Sequence, residues 1–142
     1  PVNGPKIVSN ATNTAVSWFT AANEQPTVKV SFLSDMDSFL EPIILNDVEA
    51  SGRVDIAFIS SDEVLVSYME SDANGTYLRC KKVNTNGKVS KAITVSEINS
   101  GRSTGVPQLE ILNNEAYLVW TISIDKKNQL KSVKFNLDGM NW

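Results

Sequence analysis

The chain has 142 residues, 42% of them hydrophobic and 20% charged, a composition that excludes intrinsic disorder. Its formal charge is −3 and its 13 basic residues are scattered, which argues against nucleic acid, since neutralising phosphates needs a basic patch. There is no histidine and a single cysteine, so Ser-His-Asp and Cys-His nucleophile systems, His-containing zinc sites and an internal disulfide are all excluded, and no metal or cofactor is implied.

Short alternating or β-branched runs, bounded by Asn, Gly, Ser and Asp, predict strands along the whole chain, with no sustained helical period. The first group reads Lys6–Val8, Ala15–Phe19, Val28–Phe32 and Pro42–Leu45. The second reads Val54–Phe58, Val64–Tyr68, Tyr77–Lys81 and Ala92–Val95, with turns expected at Ser60–Asp62, Asp72–Gly75 and Asn84–Gly87. The third reads Gln108–Leu112, Ala116–Trp120 and Leu130–Phe135. Cys80 lies on a predicted strand, where a thiol packs as a small hydrophobe. No apolar run approaches the roughly 20 residues of a membrane-spanning helix. Residues Pro1–Pro5 lack a signal-peptide pattern, and a start at Pro1 rather than Met suggests that the native start lies upstream.

The three groups are repeats. An aromatic residue stands at or near the end of the second strand of each, as Trp18, Tyr68 and Trp120, 50 and 52 residues apart, and Pro5, Asp55 and Pro107 stand 13 residues before them. A period near 50 with four short strands per repeat predicts an all-β chain of β-propeller blades, in which each antiparallel sheet stacks on its neighbours and the aromatic series packs between blades. The boundaries fall at about 4–48, 50–98 and 99–142 within a single segment, 1–142, and the third blade lacks an outer strand. Propellers need about 4 to 8 blades. The chain is therefore expected to be completed either by the remaining blades of a longer protein or by a second copy, as a homodimer closing a six-bladed ring.

Two sets of residues carry a family resemblance. The segments Ser34–Phe39, Asn84–Val89 and Asn136–Trp142 each follow a third strand, and they resemble degenerate Asp-boxes, the bacterial neuraminidase repeats of sialidase-like propellers. Gly52-Arg53-Val54-Asp55-Ile56-Ala57 resembles the Arg-Ile-Pro opening of a sialidase blade, with Asp55 in place of proline. In that family the arginine faces the axis and grips the carboxylate of an acidic sugar, a task that suits a planar, permanently charged fork. The resemblance implies ligand contact at Arg53, at Arg102 before the next blade, and at the nearby acids Asp55, Glu70 and Asp72. Salt bridges of Arg53 and Arg102 to Asp55, Glu49 or Glu97 are the structural alternative. Glu70 is expected to orient Arg53 rather than to donate a proton. Arg79, the third of the chain's arginines, falls on a third strand and is expected to be solvated or to pack on the sheet.

A retaining sialidase also needs an acid and a Tyr-Glu nucleophile pair, and no tyrosine here is placed for that role. The function implied is that of an exported, carbohydrate-active or glycan-binding propeller segment, secreted, periplasmic or at the cell surface. The partner implied is an acidic sugar or glycan; if the chain is an enzyme, it is an exo-sialidase whose remaining groups lie elsewhere. The alternative is a non-catalytic recognition module or a structural one, meeting protein or glycan.

Overall fold

A computed structural model of the chain describes residues 4–99 and 101–142, and of Arg102 the backbone alone. Among them, eleven strands form three antiparallel sheets, each built from consecutive strands. Sheet 1 holds β1 (Lys6–Ser9), β2 (Thr14–Thr20), β3 (Thr27–Phe32) and β4 (Ile43–Ile44). Sheet 2 holds β5 (Glu49–Phe58), β6 (Glu63–Ser71), β7 (Thr76–Asn84) and β8 (Ile93–Glu97). Sheet 3 holds β9 (Gln108–Leu112), β10 (Glu115–Ile124) and β11 (Lys127–Asn136). Helix is confined to short 3-10 turns at Ala22–Glu24, Arg102–Thr104 and Leu137–Gly139.

All eleven predicted strands are present. Pro42 is excluded from β4, because it has no N–H to donate to a ladder; beyond β4 the Leu45 N–H still bonds the Val28 carbonyl at 2.9 Å. In sheet 3 both hairpins close on two residues at positive φ, Asn113-Asn114 (51° and 62°) and Asp125-Lys126 (50° and 63°), the geometry that matches the right-handed twist of paired strands.

The sheets stack face to face in chain order. Side chains alternate between the two faces of a strand, so Ala15, Val28 and Val30 of sheet 1 meet Val54, Ile56, Val66 and Tyr68 of sheet 2 in one core. On the other face of sheet 2, Leu65, Met69, Leu78 and Cys80 meet Leu109, Leu118 and Trp120 of sheet 3 in a second core. Sheet 2 is thus covered on both sides, and β6 buries seven consecutive residues, Val64–Glu70. The first strands of the sheets are neighbours in the order β1, β5, β9.

Register makes the repeat explicit. Trp18, Tyr68 and Trp120 lie opposite Lys29, Arg79 and Lys131, so each repeat pairs an aromatic with a basic residue across the same two strands. Tyr68 and Trp120 are 0% and 3% exposed between sheets. Trp18, expected between blades as well, lies half-buried on the face of sheet 1 turned away from sheet 2. A second expectation is corrected by one residue. Val16, Val66 and Leu118 pair with Ile7, Ile56 and Leu109, so Val54, not Asp55, holds the register place of Pro5 and Pro107.

Cys80 is fully buried, and desolvation of its thiolate pushes the thiol well above its ordinary range. The Tyr68 phenol is raised too, first by burial and then by the neighbouring Glu70 charge. Both groups keep their protons in the fold after the unfolded chain, with ordinary values of about 8.5 and 10, has begun to lose them. Stability is therefore expected to be constant up to about pH 8.5 and to fall above it by up to about 1.4 kcal/mol per pH unit per group. Urea midpoints between pH 7 and 10 check this. Cys80→Ala should lower every midpoint while removing the first part of the decline, and a midpoint unchanged up to pH 10 refutes the assignment.

Candidate functional site

The arginine singled out by the sequence stands on a β-bulge. The register of β5 against β6 slips between Ala50 and Asp55, and Gly52 and Arg53 both take positive φ, 82° and 54°. Glycine is required at 52 for a second reason, since a Cβ there would come within 3.0 Å of the Phe19 ring of sheet 1. The Phe19 ring thus leaves no room for a side chain at the bulge, from which Arg53 projects. Its Nη2 donates to the Gly101 carbonyl at 2.9 Å and its Nη1 lies 4.0 Å from Met69 Sδ. Partial burial holds the guanidinium below the ordinary arginine range.

Arg53 thus reaches from the bulge of β5 to the segment that leads into sheet 3. Arg102 begins the 3-10 turn of that segment. Its side chain, the second implied ligand contact, lies outside the described residues.

Each of the three implied acids is engaged in a local structural task. Asp55 Oδ1 accepts from its own strand at Ile56 N, 2.9 Å, and Oδ2 accepts from Leu109 N of β9 at 2.8 Å, clasping the first strands of sheets 2 and 3 together. Asp72 is exposed in the β6–β7 turn and accepts from Asn74 N and Gly75 N at 2.7 and 3.2 Å, the Asx geometry that its neighbours Asn74-Gly75 favour. Glu70, expected to orient Arg53, instead pairs with Arg79. It is 0% exposed, its Oε1 is 2.6 Å from Arg79 Nη1, and its Oε2 accepts from Asp47 N and Val48 N at 2.8 and 3.1 Å.

Arg79 is correspondingly neither solvated nor merely packed. It bridges to Glu70 and lies over the Tyr77 ring, 4.9 Å from its centre. Lys81, on the same face of β7, adds bonds to the Leu45 carbonyl at 2.7 Å and to Asp47 Oδ1 at 2.8 Å, and the Tyr68 hydroxyl donates to the same carbonyl at 3.4 Å. Tyr68, Glu70, Arg79 and Lys81 together anchor residues 45–48, the crossing from sheet 1 to sheet 2. The sequence reading missed this network, although a signal was there. Once Ser71 pairs with Thr76 across the predicted turn, Glu70 lies opposite Tyr77 and diagonal to Arg79, within reach on one face.

The three segments that carried the Asp-box resemblance share a geometry. In each, the side chain of the first residue accepts from the N–H two residues on: Ser34 Oγ from Met36 at 3.2 Å, Asn84 Oδ1 from Asn86 at 3.0 Å, and Asn136 Oδ1 from Asp138 at 2.8 Å. The first two are closed by matching bridges, Leu33 to Phe39 and Val83 to Val89, with Asp37 and Gly87 at φ 57° and 87°. The third ends in Trp142, whose ring carries Lys82 of β7 and Lys88 of the β7–β8 connection at 4.5 and 5.3 Å from its centre. This third turn ties sheet 3 to sheet 2, where the Asn141 carbonyl also accepts from Lys91 N at 3.1 Å.

Among the described residues no three of the types Cys, His, Asp and Glu come together to hold a metal ion, and no helix is long and apolar enough to cross a membrane. No family model, no curated protein and no solved structure matches this chain.

Proposed function

We propose that the chain is a run of three consecutive β-propeller blades serving as a recognition module, with no hydrolytic chemistry of its own. The observation that carries the reading is the engagement of its candidate acids. A sialidase needs a carboxyl group that presents a proton to the leaving oxygen and a Tyr-Glu nucleophile pair. Both oxygens of Asp55 and of Glu70 are taken by backbone N–H groups or by Arg79, and Asp72 is spent on its own turn. The propeller reading is supported by the face-to-face stacking, by the order β1, β5, β9 of the first strands and by the repeated register of the aromatic series.

Arg53 at the bulge of β5 and, by its place in the sequence, Arg102 ahead of β9 mark where an acidic glycan or an acidic protein segment would be met. The sialidase-like resemblance of Gly52–Ala57 assigns the carboxylate of an acidic sugar as the group to be gripped and an exported location to the protein. The bond from Arg53 to Gly101 O favours the purely structural alternative, in which the guanidinium only ties two sheets.

A titration of the isotope-labelled chain with a sialylated oligosaccharide, followed by amide and guanidinium NMR, tests both readings. Shifts confined to the surroundings of Arg53 and Gly101, without release of free sugar, are expected. Release of sugar overturns the non-catalytic reading, and unchanged spectra overturn the acidic-glycan reading in favour of the structural one.

A further inference from the structure

Three hydroxyls stand in a row beside Arg53, at the junction of sheets 2 and 3. The register slip between Ala50 and Gly52 leaves Ser51 as the extra residue of the β5 bulge. Its Oγ lies 3.2 Å from Ser71 Oγ on β6, and Ser71 Oγ lies 2.7 Å from Thr76 Oγ1 on β7, so the row crosses three strands at one level. All three residues are half-buried. Alternation puts them on the face of sheet 2 that turns toward sheet 3. On that face of β6, Ser71 follows Met69, whose Sδ is the atom 4.0 Å from Arg53 Nη1.

The row has hydrogen-bonding capacity to spare. A hydroxyl has one proton to give and two lone pairs with which to accept. Three hydroxyls joined by two bonds keep one O–H and most of their lone pairs, and among the described residues these side chains bond only each other. Either member of each pair can be the donor, so the row can reverse its direction to suit what it meets. Along the same face of β5 the groups change in kind. Glu49, exposed and opposite Ser71, only accepts when ionised; Ser51 gives and accepts; Arg53 only donates.

A ligand that matches this order has an anionic end for Arg53 and neutral hydroxyls leading away from it. An acidic sugar has that form. An acidic peptide segment does not, since its side-chain carboxylates only accept and a second one would meet Glu49 as a like charge. Building on the recognition reading of Arg53, we propose that Ser51, Ser71 and Thr76 form a subsite for the ring hydroxyls of a sugar whose carboxylate Arg53 holds. The same three residues then select sugar over acidic peptide at this site.

Binding to the whole 142-residue chain, followed by amide and guanidinium NMR, is the test. The probes are N-acetylneuraminic acid, cyclohexanecarboxylate, which carries the carboxylate without hydroxyls, and a glutamate-rich peptide. The sugar is expected to shift Arg53 together with Ser51, Ser71 and Thr76, and to bind about tenfold more tightly than either other probe, a factor that one or two hydrogen bonds supply. Ser71→Ala, which cuts the row at its middle, should remove that factor for the sugar and leave cyclohexanecarboxylate unchanged. Ser71→Thr, which keeps the hydroxyl, should bind as wild type. If Ser71→Ala loses the folded amide spectrum, Ser51→Ala makes the same comparison at one end of the row. Equal binding of sugar and cyclohexanecarboxylate with shifts at Arg53 alone, or a sugar affinity that neither alanine substitution lowers, overturns the subsite and leaves the recognition reading standing. A peptide bound as tightly as the sugar overturns the selection. Silence of Arg53 toward all three probes overturns the recognition reading, and the subsite with it.

Discussion

Glu70→Ala is expected to destabilise the protein by about 3–5 kcal/mol, the range seen when one partner of a buried ion pair is removed. The reason lies in what stays behind. The Arg79 side chain is 19% exposed and keeps its charge with no carboxylate beside it. The Asp47 and Val48 amides, which bond Glu70 Oε2, lose their acceptor at the same time. Arg79→Met should cost somewhat less, because the carboxylate retains both amides. The double variant should cost clearly less than the sum of the two, since the second change removes a group already left unpaired. Glu70→Gln, which keeps acceptor oxygen for the crossing segment, should fall between wild type and Glu70→Ala. Urea unfolding followed by tryptophan fluorescence gives all four values. Strictly additive losses would show that Glu70 and Arg79 stabilise the crossing independently.

Trp120→Ala should be about as damaging, at roughly 3–5 kcal/mol for a large aromatic removed from a core. Trp120 is 3% exposed and packs with Leu65, Met69, Leu78 and Cys80 of sheet 2. Trp18→Ala, at the equivalent place of sheet 1, should cost about 1 kcal/mol or less when measured on dissociated chains, because no sheet covers it there. The contrast is informative because the residue type and the repeat position are the same. Equal costs for the two substitutions under those conditions would contradict a stack in which sheet 2 lies between sheets 1 and 3.

Much of the architecture was legible because it is written in local chemistry. Alternation of period two, β-branched runs and turn residues reflect constraints that each segment carries within itself. Val64–Tyr68 and Ala116–Trp120 therefore reveal strands before any partner is known, and the spacing of Trp18, Tyr68 and Trp120 reveals the repeat. Arg53, expected just ahead of a strand at Val54–Phe58, lies instead inside β5 at the bulge, whereas the turn role of Asp72 that its Asn74-Gly75 neighbours signal was legible for the same reason.

The misreadings share one cause, which is that register belongs to a pair of strands and not to either alone. A slip of one residue moves every side chain to the other face. The slip at Gly52–Arg53, which packs against the Phe19 ring of sheet 1, puts Val54 where the sequence comparison put Asp55. Asp55 is thereby turned toward sheet 3 and its Leu109 amide. Glu70 was matched to Arg53 by proximity along the chain, but its partners Arg79, Asp47 and Val48 come from the next strand and from the crossing out of sheet 1.

Trp18 and Trp120 are indistinguishable by their local surroundings, and only the stacking of the sheets buries one and leaves the other half open. The amino-acid sequence by itself determined the strands, their turns and the three-fold repetition, because these depend on short-range periodicity and backbone preference. Which charged groups are consumed in holding the sheets together, and which apolar residues are covered by a neighbouring sheet, was decided by the tertiary structure, because burial and pairing arise between segments distant in the chain.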